Sequence, residues 1–292
     1  MQEFVYERPG TVGEAIAAMR VGQARALAGG TDLVPQLREG RKQAARIVDL
    51  KHVPAMTAIT LLPDGGVQIG AAVNATAVAR HAAIAAGYPA VADSAQLIGG
   101  VQVQNRASLG GNICNAAPSA DGVPALICHG AVALIAGPGG TREIPVEAMF
   151  AGPGRTTLAP GELLVAIRLP PVAPRTACAY LRFTPRREMD ITIAGAAAWL
   201  RLGEDGTIAE ARLALASVAP TPIRAPIAEK MLLGERPGAA LFEEAGRLAA
   251  LDARPISDTR GSAGYRAALV AVLAARALAD CGRRLGLEVA TA

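Results

Sequence analysis

Residues 27–33 read Leu-Ala-Gly-Gly-Thr-Asp-Leu, and residues 107–113 read Ala-Ser-Leu-Gly-Gly-Asn-Ile. Adjacent glycines let a backbone approach a ligand with no Cβ in the way, and they tolerate positive φ angles. The neighbouring Ser, Thr and Asn side chains add hydrogen-bonding groups beside the exposed backbone N–H groups. If the two loops converge, their amides can form a nest for the pyrophosphate of a large anionic cofactor.

Neither loop has the spacing of the common nucleotide-binding motifs. The Rossmann pattern GxGxxG and the Walker A pattern GxxxxGK[ST] are both absent from these loops, and no lysine lies in or beside either one. A single glycine pair most often forms an ordinary turn, so the residues around each pair must carry the interpretation.

Composition bounds the class of protein. The chain has 292 residues, a length typical of about two domains, and 51% of them are hydrophobic, which allows a sizeable core. The net charge is +4, and the basic residues are dispersed without interleaved aromatics, so we expect no nucleic-acid binding. The sequence has no uninterrupted apolar run of 18 residues, so we expect no membrane span.

The cysteines and the N-terminus indicate a compartment. The cysteines at 114, 128, 178 and 281 form no CxxC pair, so neither a zinc site nor an iron–sulfur cluster is expected on this chain. Residues 1–4 (Met-Gln-Glu-Phe) lack the basic and apolar regions of a secretory signal. Both features predict a cytoplasmic protein whose cysteines remain thiols.

The order of predicted elements suggests two unlike domains. A capping box opens a helix at Thr11, and short strands are predicted at 24–28, 47–50, 67–70 and 132–136, with helices at 76–86, 89–98 and 121–129. Cys114 and Asn115 are expected to continue a strand after the second loop. Residues 170–174 (Pro-Pro-Val-Ala-Pro) form a stiff segment that predicts a domain boundary. Strands at 177–183, 193–202 and 211–217 then precede helices at 225–233, 239–251 and 262–285, which predicts an α+β domain with helices over one sheet face.

The residues around the glycine pairs resemble a known family. Residues 28–33 (AGGTDL) are similar to the first flavin loop of the middle subunits of molybdenum hydroxylases, and residues 105–112 (NRASLGGN) resemble the second, which 117–121 (APSAD) continue. Residues 150–156 (FAGPGRT) and 161–164 (GELL) resemble the end of that flavin domain. Residues 186–191 (RREMDI) and 260–266 (RGSAGYR) resemble parts of its C-terminal domain. The matches follow the family's order over nearly the whole chain, which is far more specific than either loop alone.

This family, which includes xanthine dehydrogenase and carbon monoxide dehydrogenase, implies a fold. It would be an α+β chain with a two-subdomain PCMH-type FAD-binding domain, like that of vanillyl-alcohol oxidase, followed by a small C-terminal α+β domain. The resemblance and the proline-rich segment together predict a FAD-binding domain at 1–170, with a small subdomain at about 1–55 and a larger one at about 56–170. A linker at 171–175 and a C-terminal domain at 176–292 complete the prediction.

The resemblance also implies which residues bind FAD. In the first loop they are Leu27, Ala28, Gly29, Gly30, Thr31, Asp32 and Leu33, with the amides and the Thr31 hydroxyl on the pyrophosphate and Asp32 capping a helix or holding the loop. In the second loop they are Ala107, Ser108, Gly110, Gly111, Asn112 and Cys114. Positions that line the isoalloxazine correspond to Ile98, Gly99 and Val103, and a position near the adenine corresponds to Leu164.

Two further residues carry open alternatives. Asp121 either reaches a ribitol or ribose hydroxyl or acts as a helix N-cap, as Asp often does. Arg182 either lies near the flavin, where a cation would stabilise the reduced, anionic ring, or forms a surface ion pair.

The resemblance implies an electron-transfer subunit with no catalytic residue and no metal ligand of its own. A large partner would hold molybdopterin, a small partner would hold two [2Fe–2S] clusters, and the complex would be a dimer of heterotrimers. FAD on this chain would accept electrons from the clusters and pass them to an external acceptor. Two alternatives remain: a self-sufficient FAD oxidoreductase acting on a small molecule, and a non-enzymatic scaffold that has lost FAD.

Overall fold

The computed structural model describes residues 3–289 of the chain. Residues 1, 2 and 290–292, which belong to the ends of the two predicted domains, lie outside the described residues. The α-helices of the described part are α1 (Val12–Met19), α2 (Leu33–Arg38), α3 (Pro54–Thr57), α4 (Ala75–Arg80), α5 (Ala82–Gly87), α6 (Pro89–Gln96), α7 (Val101–Gln104), α8 (Leu109–Asn115), α9 (Gly122–Cys128), α10 (Pro226–Leu232), α11 (Ala239–Asp252) and α12 (Ala263–Arg284). The strands are β1 (Val5–Glu7), β2 (Ala24–Leu27), β3 (Arg46–Asp49), β4 (Ile59–Leu61), β5 (Val67–Gly70), β6 (Val132–Gly137), β7 (Gly140–Pro145), β8 (Phe150–Gly152), β9 (Arg155–Thr156), β10 (Leu163–Leu169), β11 (Thr176–Phe183), β12 (Ala194–Leu202), β13 (Ile208–Ala216) and β14 (Ile223–Arg224).

The N-terminal part forms a small parallel sheet in the order β1-β3-β2. The capping box predicted at Thr11 is confirmed, because the Thr11 hydroxyl accepts from the Glu14 backbone N–H at 3.1 Å. The Glu14 carboxylate in turn accepts from the Gly10 N–H at 2.7 Å. Reciprocal capping of this kind fixes where α1 begins and directs its apolar face, with Ala15 fully buried, onto the sheet.

The next part contains an antiparallel sheet in the order β4-β5-β10-β6-β7; α3 and α8 pack against it, while α4 and α5 pack on α6, and α9 packs on α6 and α8. The predicted strands at 67–70 and 132–136 are confirmed. The helix predicted over 76–86 is divided into α4 and α5, because His81 has extended backbone angles between them. The strand expected at Cys114 and Asn115 is wrong: both residues belong to α8, which Ser108 caps.

The C-terminal part is a four-stranded antiparallel sheet, β11-β12-β13-β14, with α10 to α12 against it, so the predicted α+β arrangement is confirmed. Ser262 caps α12 as expected, with its hydroxyl accepting from the Tyr265 N–H. Side chains alternate across β11: Ala177 and Ala179 join the core under the helices, whereas Cys178 and Tyr180 join the core formed by the N-terminal residues. The sheet is therefore buried on both faces, with α6 and α9 covering the face opposite its own helices.

The connection between the two parts and the lengths of the helices complete the description of residues 3–289. The proline-rich residues 170–174 connect β10 to β11. Within residues 3–289, no helix is both long enough and apolar enough to cross a bilayer.

Candidate cofactor-binding cleft

The two glycine loops meet at the floor of one cleft. A Cβ placed on Gly29 would lie 2.0 Å from the carbonyl oxygen of Arg106, so the first loop presses its backbone directly on the segment that opens the second. The helices that follow the loops are also joined, since the Gln36 side-chain amide donates to the Asn115 side-chain oxygen at 3.3 Å. Glycine at position 29 is therefore required by a close approach between the two loops.

The first loop presents open backbone donors. Gly30 has a φ of +78°, which turns the chain sharply after β2. Within residues 3–289, the backbone N–H groups of Gly29, Gly30, Thr31 and Asp32 have no protein acceptor. Successive unpaired N–H groups in a turn form a concave site for an anion. Asp32 stands at the start of α2, yet its carboxylate makes no capping hydrogen bond, so the expected cap is wrong.

A buried ion pair holds this loop from below. The Lys51 ammonium donates to the Ala28 carbonyl at 2.8 Å and pairs with Asp49, which also accepts from the Tyr6 hydroxyl. Burial works to raise the pKa of Asp49, but the hydrogen bonds from Lys51 and Tyr6 outweigh it and hold that pKa below its ordinary value. The charged pair thus fixes the carbonyl side of the loop and leaves the N–H side to the cleft.

The second loop is anchored by its own side chains and by tight packing. The Ser108 hydroxyl accepts from the Gly111 N–H at 3.0 Å and caps α8. A Cβ on Gly110 would lie 2.3 Å from the Ala71 carbonyl oxygen, so only glycine fits against that backbone. The Asn112 side-chain oxygen accepts from the Gly122 N–H at 3.1 Å, which ties the loop to the start of α9.

The cleft between the loops has a volume of about 920 Å³ and a positive character. Arg20, Arg25 and Lys42 line it, along with Asp32 and Glu162. The Glu162 carboxylate accepts from the Nε and Nη2 atoms of Arg142, at 2.7 and 2.6 Å, and these hydrogen bonds lower the pKa of Glu162 to about 2. Glu162 therefore stays ionised, but Arg142 balances its charge, and the remaining basic residues of the lining suit an anionic ligand.

Most residues expected to bind the cofactor line this cleft. They are Ala28, Gly29, Gly30, Thr31, Asp32, Leu33, Ile98, Ala107, Ser108, Gly110, Gly111, Asn112 and Cys114. The structure brings together residues of both loops from positions about eighty apart in the sequence, and Ile98 from between them. Their contacts with the cofactor remain predictions.

Six expected residues lie elsewhere: Leu27, Gly99, Val103, Asp121, Leu164 and Arg182. Leu27 packs beneath the first loop with Leu37 and Ile47. Gly99 and Val103 pack on each other, because a Cβ on Gly99 would lie 2.8 Å from the Val103 Cβ. Leu164 faces the core, and its neighbour Leu163 lines the cleft instead.

Asp121 and Arg182 form a buried ion pair with each other. The Arg182 guanidinium donates to the Asp121 carboxylate at 2.5 Å, and their side chains are only 6% and 10% exposed, so Arg182 forms an ion pair, one of its two alternatives, but a buried pair and not a surface one. Asp121 precedes α9 but makes no capping hydrogen bond, because its carboxylate is turned to the C-terminal domain. Burial raises the pKa of Asp121, although Arg182 and two hydroxyl groups favour its ionised form.

Sequence reasoning missed part of the lining. Arg25, Lys42 and Glu162 reach the cleft from β2, from the loop after α2 and from the turn before β10. Arg25 could have been found from its place two residues before the first loop, and Glu162 from the GELL segment already matched. Lys42 carries no local signal, since only the fold brings it near Arg25.

The cysteines divide between the cleft and the core. Cys114 is exposed and lines the cleft, whereas Cys128, Cys178 and Cys281 are buried. Burial raises the pKa of the Cys128 thiol well above its usual range, which favours the uncharged form. In the described residues, no cluster of three or more His, Cys, Asp or Glu side chains is arranged to hold a metal ion.

A small parallel subdomain and a larger antiparallel one, with glycine loops from both meeting at one cleft, define a dinucleotide-binding class of protein. Residues 2–172 match the family model described as the FAD binding domain in molybdopterin dehydrogenase, and residues 179–281 match the CO dehydrogenase flavoprotein C-terminal domain. The chain belongs to this family, that of the FAD-binding medium subunits of xanthine dehydrogenase and carbon monoxide dehydrogenase type.

Known relatives match over almost the full length. The xanthine dehydrogenase FAD-binding subunit of Escherichia coli O157:H7 is 33% identical over 94% of each chain. The carbon monoxide dehydrogenase medium chain of Hydrogenophaga pseudoflava is 32% identical over 94% of this chain and 96% of its own. A solved structure of carbon monoxide dehydrogenase from Hydrogenophaga pseudoflava, a form lacking the Mo-pyranopterin moiety of the molybdenum cofactor, superposes with a TM-score of 0.92, 32% identity and coverage of 97% of this chain and 98% of that one. The expected fold class and FAD-binding function are thereby confirmed.

The residues of the cleft fit FAD on physical grounds. Its volume of about 920 Å³ lies at the large end of small-molecule sites, which run from roughly 300 to 1,000 Å³. The unpaired N–H groups of residues 29–32 are donors for a pyrophosphate, and the glycines leave the space that its oxygens need.

Proposed function

We propose that this chain transfers electrons through FAD held between the two glycine loops, from a partner subunit with [2Fe–2S] clusters to an external acceptor. The observation that carries the proposal is the contact of Gly29 with the Arg106–Ala107 backbone, which makes one cleft of two loops. When bound, FAD supplies one- and two-electron redox chemistry, and the protein supplies binding, orientation and electrostatics.

Three groups of residues would hold the cofactor. The N–H groups of Gly29 to Asp32 and the Thr31 hydroxyl would bind the pyrophosphate. Ser108 would keep the second loop in place, and the Asn112 amide would add a donor from it. Arg25 and Lys42 would offset the negative charge of the phosphates.

The proposed assembly is a dimer of heterotrimers in the cytoplasm. A large subunit with molybdopterin would oxidise the substrate. A small subunit would hold two [2Fe–2S] clusters, which would pass the electrons to the FAD of this chain. The names of the relatives support a multi-subunit dehydrogenase, since those proteins are medium chains or FAD-binding subunits. The cysteines, which are free thiols in the described residues, suit a reducing compartment.

The proposed domain boundaries are those predicted from the sequence. A FAD-binding domain at 1–170, with subdomains at about 1–55 and 56–170, would be joined through 171–175 to a C-terminal domain at 176–292. Family matches at 2–172 and 179–281, with a proline-rich connection between them, support this division.

A test of the function starts from the full chain purified alone and with its native partners. Alone, after reconstitution with FAD, it should be yellow and show no hydroxylase activity. Copurified partners should contain molybdenum and iron, and their substrate should reduce the flavin. Turnover of a small molecule by the isolated chain would instead favour the self-sufficient oxidoreductase, and a colourless reconstituted chain would favour the scaffold.

A further inference from the structure

One buried carboxylate, that of Asp121, links the FAD-binding domain to the C-terminal sheet. Asp121 accepts three hydrogen bonds, from the Tyr180 hydroxyl at 2.7 Å, the Thr192 hydroxyl at 2.6 Å and the Arg182 guanidinium at 2.5 Å. Tyr180 and Arg182 lie two apart on β11, so they share one sheet face, and Thr192 lies just before β12. All the side-chain partners of this carboxylate thus come from the C-terminal domain.

The residue after Asp121 reaches into the cleft through one hydrogen bond. The Gly122 N–H, the first of α9, donates to the Asn112 side-chain oxygen at 3.1 Å. A backbone N–H can only donate, so the oxygen of the Asn112 amide must face Gly122, and the amide nitrogen faces away from it. Asn112 lines the cleft, so the position of Gly122 sets the orientation of a donor there.

The first turn of α9 packs closely against the second loop. A Cβ on Gly122 would lie 2.6 Å from a methyl carbon of Leu109 and 3.1 Å from the Asn112 side-chain oxygen, so the helix start already packs against the second loop. Asp121, at the N-cap position, uses none of its carboxylate oxygens to cap α9. Its place is therefore set by the C-terminal donors and not by the helix that it begins.

We propose that Tyr180 and Thr192 are positioning residues for the cofactor: through Asp121 and Gly122 they fix the Asn112 amide, so that the C-terminal domain pre-organises the second glycine loop. The proposal rests on the proposed function, because the Asn112 amide has a ligand to meet only if the cleft binds FAD. It assigns to the C-terminal domain a part in cofactor binding although Tyr180 and Thr192 do not themselves line the cleft.

The contacts that lead from Thr192 through Asp121 and Gly122 to Asn112 are called the relay here. A double-mutant cycle on FAD affinity tests it. Thr192→Val removes the hydroxyl with little change in shape and should raise the FAD Kd of the full chain about three- to tenfold, the range of one weakened hydrogen bond. Thr192→Ser keeps the hydroxyl and should restore wild-type affinity. In an Asn112→Ala background the further substitution Thr192→Val should have no effect, because the group that it positions is gone.

Unfolding measurements separate positioning from general support. Thr192→Val should lower the melting temperature by the same amount with or without Asn112, whereas its effect on FAD affinity should vanish in Asn112→Ala. Asp93→Asn removes another contact to the C-terminal domain, the 2.9 Å ion pair with Arg284, and should leave FAD affinity unchanged.

The outcomes distinguish the relay from the function beneath it. Independent, multiplicative effects of Thr192→Val and Asn112→Ala on the Kd, in a wild-type chain that binds FAD, would overturn the relay alone. A wild-type chain that binds no FAD would overturn the proposed function and the relay with it. Coupled affinities with Ser rescue would establish the relay.

Discussion

The two glycine loops have similar sequences but opposite constructions. In the first, Lys51 holds the Ala28 carbonyl from below, and the N–H groups of residues 29–32 are left without protein acceptors among the described residues. In the second, the polar groups near the glycines are used internally, through the Ser108 cap and the Asn112–Gly122 contact. The first loop offers backbone donors, and the second supplies a shaped wall and the amide nitrogen of Asn112.

Because of this difference, substitutions in the two loops should affect FAD affinity and the free energy of unfolding to different extents. The open N–H groups of the first loop make no hydrogen bond within the described residues, so a change that removes these donors without crowding the loop should act mainly on ligand binding. The second loop is tied to α9 and, through Asp121, to the C-terminal domain, so changes there should alter both quantities.

The largest effect is expected from Gly29→Ala. The added methyl would lie 2.0 Å from the Arg106 carbonyl oxygen, so the two loops must move apart, and overpacking of this kind typically costs about 1–3 kcal/mol. Because the displaced backbone carries the open donors, FAD affinity should fall roughly a hundredfold, measured by fluorescence titration of the full chain with FAD.

Gly139→Ala is the matched control for that substitution. Gly139 lies in the turn between β6 and β7, and a Cβ there meets nothing within 4 Å. It should leave both FAD affinity and the melting temperature unchanged. If Gly29→Ala bound FAD as tightly as Gly139→Ala does, contact between the loops would not be what forms the site.

A second prediction concerns acid stability at the end of α9. Burial, helped by the nearby Arg212 cation, lowers the pKa of His129 from 6.5 to about 4. The unfolded chain therefore takes up a proton at higher pH than the folded one, so stability present above about pH 6.5 is lost as the pH falls towards 4, by up to about 3 kcal/mol.

His129→Phe removes this titration while keeping an aromatic ring beside Tyr88, which packs edge-on at 5.2 Å. Urea unfolding between pH 4 and 8 should show a flatter pH dependence for the variant than for wild type. An unchanged slope in that window would mean that the acid sensitivity of the fold comes from groups other than His129.

The sequence allowed the convergence of the loops to be predicted, but not which polar side chains face the cleft. Glycine pairs and their neighbours reveal a close backbone approach locally, and apolar periodicity located the C-terminal strands and helices to within a few residues. The sequence left Asp121 and Arg182 open between the cofactor and other roles, because a polar residue near a binding loop looks the same whether it meets a ligand or another side chain. Their pairing spans 61 positions and leaves no local pattern.

Side-chain direction along β10 also lies outside the sequence pattern. The resemblance placed Leu164 near the adenine; in the structure it joins the buried core and its neighbour Leu163 lines the cleft, and its contact with the adenine stays a prediction. The pairing of β10 with β6 shifts just after these two residues, between Leu164 and Ala166. A shift of one residue moves a side chain to the opposite face of a strand, and irregular pairing has no signature in the residues themselves.

A third, smaller effect separates the role of Ser108 from ordinary capping. Ser108→Ala should cost about 1 kcal/mol of stability through loss of the cap and should also weaken FAD binding several-fold, because the second loop loosens. Ser262→Ala removes a similar cap from α12, where the hydroxyl accepts from the Tyr265 N–H at 3.2 Å, away from the cleft. It should lower the melting temperature comparably and leave FAD affinity alone. Equal FAD affinities for the two variants would contradict a binding role for the second loop.

The smallest effect is expected from Lys42→Met, which tests the charge of the cleft and not its shape. Lys42 is half-buried, and burial together with the Arg25 cation lowers its pKa. A phosphate bound beside these two cations would offset the repulsion between them. Methionine keeps most of the length without the charge, and FAD affinity should fall about two- to fivefold at low salt, with the difference shrinking as salt is added. Arg41→Met is the matched control, because Arg41 is exposed, pairs with Glu39 and does not line the cleft. A loss for Lys42→Met that persisted unchanged in 1 M salt would show that Lys42 acts through packing, and the binding power of the first loop would then reside in its backbone donors alone.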